Sequence, residues 1–172
     1  MKTDVHKLAL CAVLAAMALA LSYMENLLPT ALLVPLPGFK LGLANIVTVY
    51  AMFLLGPVDT LAILLCRIVL GSLFAGQLMS MLYSLGGGLS CYMVMLLLRK
   101  LLTKKQIWVC GIIGAIAHNI GQICVAIGIT RTSALLYYLP LLMVSGILTG
   151  CFTGLCAQFL TNRMAHMKKQ NY

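Results

Sequence analysis

The residues able to do chemistry in this chain are few, and long apolar runs separate them. Glu25, Asn26, Asn45, Thr48, Arg67, Tyr83, Ser84, His118, Asn119 and Gln122 stand among Leu, Ile, Val, Ala and Met. The densest group is Gly114-Ala-Ile-Ala-His118-Asn119-Ile-Gly121-Gln122. His118 and Gln122 are four apart and share a helix face, and Asn119 lies three before Gln122. Gly114 and Gly121 permit close approach of backbone or ligand. The group reads as ligand contacts, or as an interior histidine with its own partners. Arg67 is a cation inside an apolar run. On insertion scales such a charge costs at least about 2.5 kcal/mol in lipid, so it must face the interior. It anchors an anionic group or a polar ring, pairs with Glu25, or caps a carbonyl.

Several chemistries are excluded. His118 is the lone histidine in an apolar run, with no carboxylate close in sequence, which argues against a metal site and a bis-histidine haem. No GxxxxGK[ST] exists to hold ATP. Aspartate occurs only at Asp4 and Asp59, so no paired aspartates can hold magnesium on a diphosphate, and no Ser/His/Asp set is recognisable. The chain reads as a non-enzyme with no cofactor.

These groups must be positioned by helices in a membrane. The 172 residues are 62% hydrophobic and 9% charged, with mean hydropathy +1.04, where a soluble domain is about 45–50% apolar and about 25% charged. Spans are expected at about 8–28, 41–55, 58–75, 78–98, 107–129 and 140–160, each near the length that crosses a bilayer. Six spans use roughly 120 residues, which leaves no room for a soluble catalytic domain. The fold class is an all-α, polytopic six-helix bundle in one domain. The first apolar run reads as a span, since it is too long for a signal and ends in Glu25-Asn26. Gly56-Pro57 marks a tight turn with proline at the first helical position.

There are 12 Lys and Arg against 3 Asp and Glu. The basic residues gather at span ends, where they set topology and do not mark a nucleic-acid partner. Lys2, Lys7, Arg99, Lys100, Lys104, Lys105, Arg163, Lys168 and Lys169 fall on one side, and Lys40 and Arg131 on the other. That asymmetry places both termini in the cytoplasm of a cell-membrane protein. The seven cysteines lie in apolar runs without a CxxC and read as reduced structural residues.

In this topology Glu25, Asn45 and Tyr83 fall in outer halves of spans, His118, Asn119 and Gln122 near or just outside the middle, and Arg67 roughly 14 Å into its span. Such a cluster, open outward and closed below, is a binding pocket and not a through-pore. The expected substrate contacts are Glu25, Lys40, Asn45, Arg67, Tyr83, His118, Asn119 and Gln122. The loop at Pro29–Lys40, with Pro35, Pro37 and Gly38, is a lid over it or a plain connector. Gly86-Gly87-Gly88 is a local helix break or a tight crossing. Two small-residue stripes, Ala12/Ala16/Ala20 and Gly146/Gly150/Gly154, allow close helix approach. They pack inside the bundle or dock another subunit, and the alanine stripe is the better docking candidate.

Ser22-Tyr23-Met24-Glu25, Pro37-Gly38-Phe39-Lys40-Leu41-Gly42-Leu43-Ala44-Asn45, Leu82-Tyr83-Ser84-Leu85-Gly86-Gly87 and His118-Asn119-Ile120-Gly121-Gln122 occur in this order. Over nearly the whole chain the sequence resembles the small bacterial Gx transporter family, often labelled heptaprenyl diphosphate synthase component I. That family is similar in size and span count to the substrate-binding S components of energy-coupling-factor (ECF) transporters. The resemblance implies six helices, an outward pocket, a lid between spans one and two, and docking through small residues of span one. The expected function is uptake of a small, partly apolar molecule (a vitamin, flavin, quinone or isoprenoid precursor). The expected partners are the bilayer, that ligand, a membrane coupling subunit and ATPases. Two alternatives stay open: a noncatalytic membrane partner of a prenyl diphosphate synthase, and a membrane component of a flavin- or quinone-linked electron-transfer assembly.

Overall fold

The computed structural model describes residues 5–27, 40, 42–76, 78–103 and 106–170. The expected lid between residues 28 and 39, together with Lys104 and Lys105 of the polar hairpin, lies outside the described residues. Among the described residues six α-helices follow one another: α1 Val5–Leu27, α2 Asn45–Leu54, α3 Pro57–Ala75, α4 Leu78–Leu101, α5 Ile107–Thr130 and α6 Leu139–Gln170, with a 3-10 turn over Ser133–Tyr138 before α6. No strand occurs among the described residues. Among the described residues five segments, Val5–Glu25, Pro57–Ala75, Leu78–Leu101, Ile107–Thr130 and Ser133–Met164, are long and apolar enough to cross a membrane. Phe74, Tyr137, Phe152 and Phe159 are exposed, as lipid contact requires and water would penalise. The chain is an all-helical, multi-pass membrane protein.

Span two departs from expectation. Helix α2 starts at Asn45, not near residue 41, and has 10 residues. At 1.5 Å per residue it spans about 15 Å, half of a hydrocarbon core of about 30 Å. The reason is local. Gly42 has φ +88, outside any helix, and its carbonyl accepts the Asn45 N–H at 2.9 Å. A Cβ on Gly42 would lie 2.8 Å from Asn45 Nδ2 and 3.2 Å from His118 Cδ2. The chain therefore enters the bundle as a non-helical segment and becomes helical only inside it. Asn45, Val47, Thr48, Val49, Ala51 and Met52 of α2 are all buried. Beyond α2, Gly56 at φ +105 reverses the chain and Pro57 opens α3, as the sequence implied. Thr60 Oγ1 donates to the Gly56 carbonyl at 2.7 Å.

Helices α4, α5 and α6 pack through glycine. Helix α4 runs unbroken through Gly86-Gly87-Gly88, so these residues make a crossing and not a break. A Cβ on Gly121 of α5 would lie 2.5 Å from the Gly86 carbonyl oxygen, and one on Gly87 would lie 2.9 Å from His118 Nδ1. The stripe on α6 works the same way. A Cβ on Gly150 would meet the Gly111 oxygen at 2.7 Å, and one on Gly154 the Trp108 oxygen at 2.7 Å. The alanine stripe behaves differently. Ala12, Ala16 and Ala20 are exposed, whereas Ala15 and Ala18 are buried in a cluster with Val47, Ala51 and Ile63.

The main core joins Val49 and Met52 of α2, Leu64 and Ile68 of α3, Cys91 and Met95 of α4, Cys110 of α5 and Ala157 of α6. All seven cysteines are free. Near their starts α1 and α3 are joined by an ion pair, Lys7 Nζ to Asp59 Oδ2 at 2.7 Å. The two helices therefore run parallel. Helix α5 is the most enclosed spanning segment, with 44% of its apolar window buried, and α1 the least, with 22%. The element carrying the polar group is thus the most enclosed span, packed chiefly against α4 and α6.

Candidate functional site

The site forms where the non-helical segment meets α5. Gln122 donates from Nε2 to the Lys40 carbonyl at 3.0 Å and accepts the Lys40 N–H on Oε1 at 3.3 Å. Three residues on, the Leu43 N–H donates to Glu25 Oε1 at 2.5 Å. Backbone outside a helix is tolerated at membrane depth only when protein satisfies it, and Gln122 and Glu25 do so here. Gln122 Nε2 also contacts His118 Nε2, the four-residue pair on one face of α5. On the opposite side, Arg67 Nη2 of α3 donates to Asn45 Oδ1 at 2.8 Å.

These groups enclose a cavity of about 20 Å³ lined by Ser22, Glu25, Lys40, Gly42, Arg67, Ile68, Ser84 and His118. That volume admits about one water-sized atom. Lys40 and Arg67 supply two cations against the single carboxylate of Glu25. No Arg67–Glu25 contact reaches ion-pair distance, since the described ion pair is Lys7–Asp59. Five buried polar atoms have no partner among the described residues: Arg67 Nε, Asn45 Nδ2, Thr48 Oγ1, His118 Nδ1 and Asn119 Oδ1. A buried donor left unpaired costs about 1–3 kcal/mol, and Arg67 Nε is such a donor on a residue of the cavity lining. Lys40, in the segment before α2, has its pKa drawn below the ordinary value by burial, with Glu25 opposing that shift.

Of the residues singled out in the sequence, Glu25, Lys40, Arg67 and His118 line the cavity. Asn45 and Gln122 hold its walls through the bonds above. Tyr83 and Asn119 lie elsewhere. Tyr83 packs with Ile123, Ala126, Leu135 and Leu142, and Asn119 Nδ2 donates to the Leu142 carbonyl of α6 at 2.6 Å. Ser22, Ser84 and Ile68 were not singled out as contacts, yet they line the cavity. Ser22 had a signal: it precedes Glu25 by three residues and so shares its face. Among the described residues no group of three His, Cys, Asp or Glu could hold a metal ion.

Neither the curated proteins nor the solved structures give a match. A family model described as heptaprenyl diphosphate synthase component I matches residues 14–160. The matched stretch runs from within α1 to within α6 and includes every residue lining the cavity. The chain belongs to the heptaprenyl diphosphate synthase component I family.

Proposed function

We propose that this protein is the substrate-binding component of a transport system in the cell membrane. Both termini are cytoplasmic, and the site takes the polar end of a small, partly apolar molecule. One observation carries the reading: a buried cavity with two cations against one carboxylate, in which Arg67 Nε lacks an acceptor. A structural cluster would tend to satisfy itself; a binding site leaves capacity for its ligand. The outward alanine stripe supports docking of a coupling subunit, because Ala12, Ala16 and Ala20 are exposed beside the packed Ala15 and Ala18. Energy would come from partner ATPases, since no nucleotide motif is present.

A second reading follows from the family description: a noncatalytic membrane partner of a heptaprenyl diphosphate synthase. The supply of aspartate favours a noncatalytic role, since Asp4 and Asp59 alone cannot form a paired-aspartate motif. Gene neighbourhood separates the two, through transport ATPases for the first and a synthase catalytic subunit for the second.

The direct test is mass spectrometry of small molecules copurifying with the protein in nanodiscs. Arg67→Gln should lower occupancy about tenfold or more, as expected for losing a charge-assisted hydrogen bond of about 1.5–3 kcal/mol. Ala16→Leu should weaken assembly with the energising subunits and leave ligand occupancy unchanged. Equal occupancy in the Arg67→Gln variant and the parent refutes the site.

A further inference from the structure

The polar cavity is not isolated. Ser22 also lines a second, larger space of about 370 Å³ between α1 and α3, whose other walls are Leu19, Ala20, Tyr23, Gly71 and Phe74. This groove is apolar apart from Ser22 and the Tyr23 hydroxyl. Its volume falls within the roughly 300–1,000 Å³ of small-molecule sites. Two positions keep it open by lacking bulk. Ala20 is exposed into it. Gly71 leaves room for more: a Cβ there would meet only Leu19 Cδ2, at an ordinary 3.6 Å. Tyr23 and Phe74 are exposed at its edge, so it faces the lipid side of the bundle. A small cavity with two cations and a larger apolar groove therefore share Ser22 in their walls.

Resting on the binding reading above, we propose that the ligand is a single-chain amphiphile with an anionic oxygen at its head, taken sideways from the bilayer. The head oxygen enters the cavity beside Arg67 and Lys40, where one water-sized atom fits. The chain passes Ser22 and lies along the groove between α1 and α3. The polar side supplies what an anion lacks in lipid, namely positive charge and free N–H donors. The groove supplies what a chain needs, a surface no side chain fills. A compact hydrophilic solute would leave the groove unused, and a neutral chain would leave the donors unpaired.

The probe is dodecanoic acid carrying a terminal diazirine, photolysed with the protein in phosphatidylcholine nanodiscs, with labelled peptides mapped by mass spectrometry. Label should concentrate on Leu19–Tyr23 and Gly71–Phe74. Unlabelled dodecanoate should compete, and dodecan-1-ol and butyrate should compete at least tenfold less well. Gly71→Phe should cut labelling at least tenfold, while Gly71→Ala should leave it unchanged. If Gly71→Phe fails to fold, Ala20→Phe fills the same groove from an exposed position. Even labelling of all lipid-facing helices, or labelling indifferent to Gly71→Phe and Ala20→Phe, overturns the proposal, because the groove then holds ordinary lipid or a protein partner. Loss of the copurifying ligand in Arg67→Gln together with indifference to Gly71→Phe rejects only the chain-in-groove inference. Indifference to both substitutions rejects the polar site as well.

Discussion

Two seams in this bundle are held by opposite means. Between α5 and α6 the backbones touch through glycine, with Gly111 facing Gly150 and Gly154 and no space for a methyl group. Around the segment before α2, the backbone is held by side chains, through Gln122 of α5 on Lys40 and Glu25 of α1 on Leu43. The first seam depends on shape and admits no extra atom. The second depends on discrete hydrogen bonds around a cavity, and a ligand with the right groups can exchange for such bonds. On the proposed reading the ligand belongs at the second seam, and the first is the frame that holds it.

The comparison breaks most severely at the glycine seam. Gly150→Leu would force its side chain into the Gly111 carbonyl, and overpacking against backbone should cost about 3 kcal/mol. Unfolding in mixed detergent micelles should show that loss directly. Gln122→Ala comes next. It strips both backbone bonds from Lys40, and an unsatisfied buried group costs about 1–3 kcal/mol. Cysteine accessibility at Ser84→Cys should rise in that background and stay low in an Asn119→Ala background, because Asn119 braces α6 instead. Gly42→Ala should act on the same seam by strain of about 1–3 kcal/mol. Its φ of +88 disfavours a side chain, and Asn45 and His118 leave little room for one. Asp59→Asn should have the smallest effect. Its partner Lys7 is half exposed, so stability should differ little from the parent and the difference should vanish in high salt.

The long helices were legible because apolar length alone defines them, and α5 appears at nearly its expected bounds. Helix α2 was not, for a physical reason. Leu41, Leu43 and Ala44 continue the apolar run backwards, so composition shows no boundary. What stops the helix is Gly42, and what makes that stop tolerable is Gln122, 82 residues after Lys40. Within the site, charge in an apolar run pointed to Glu25, Arg67 and His118. The direction of Tyr83 and Asn119 could not be read, because neighbours on one helix carry polar groups to different partners. Ser22 and Ser84 were not expected as contacts because a lone serine in an apolar helix is ordinary.

The shortness of α2 also bears on how the protein enters the membrane during synthesis. Ten residues fall well below the roughly 20 that hold a segment across a bilayer, so α2 cannot be retained by itself. Gly56 and Pro57 fold α3 directly back against it, and the two must be inserted as one hairpin. Lys40 then waits with its N–H and carbonyl unmatched until Gln122 has left the ribosome and α5 has arrived. Assembly of this region is therefore ordered by chain length. A nascent chain halted after α4 should leave the entry to α2 open to protease, and one extended past α5 should close it.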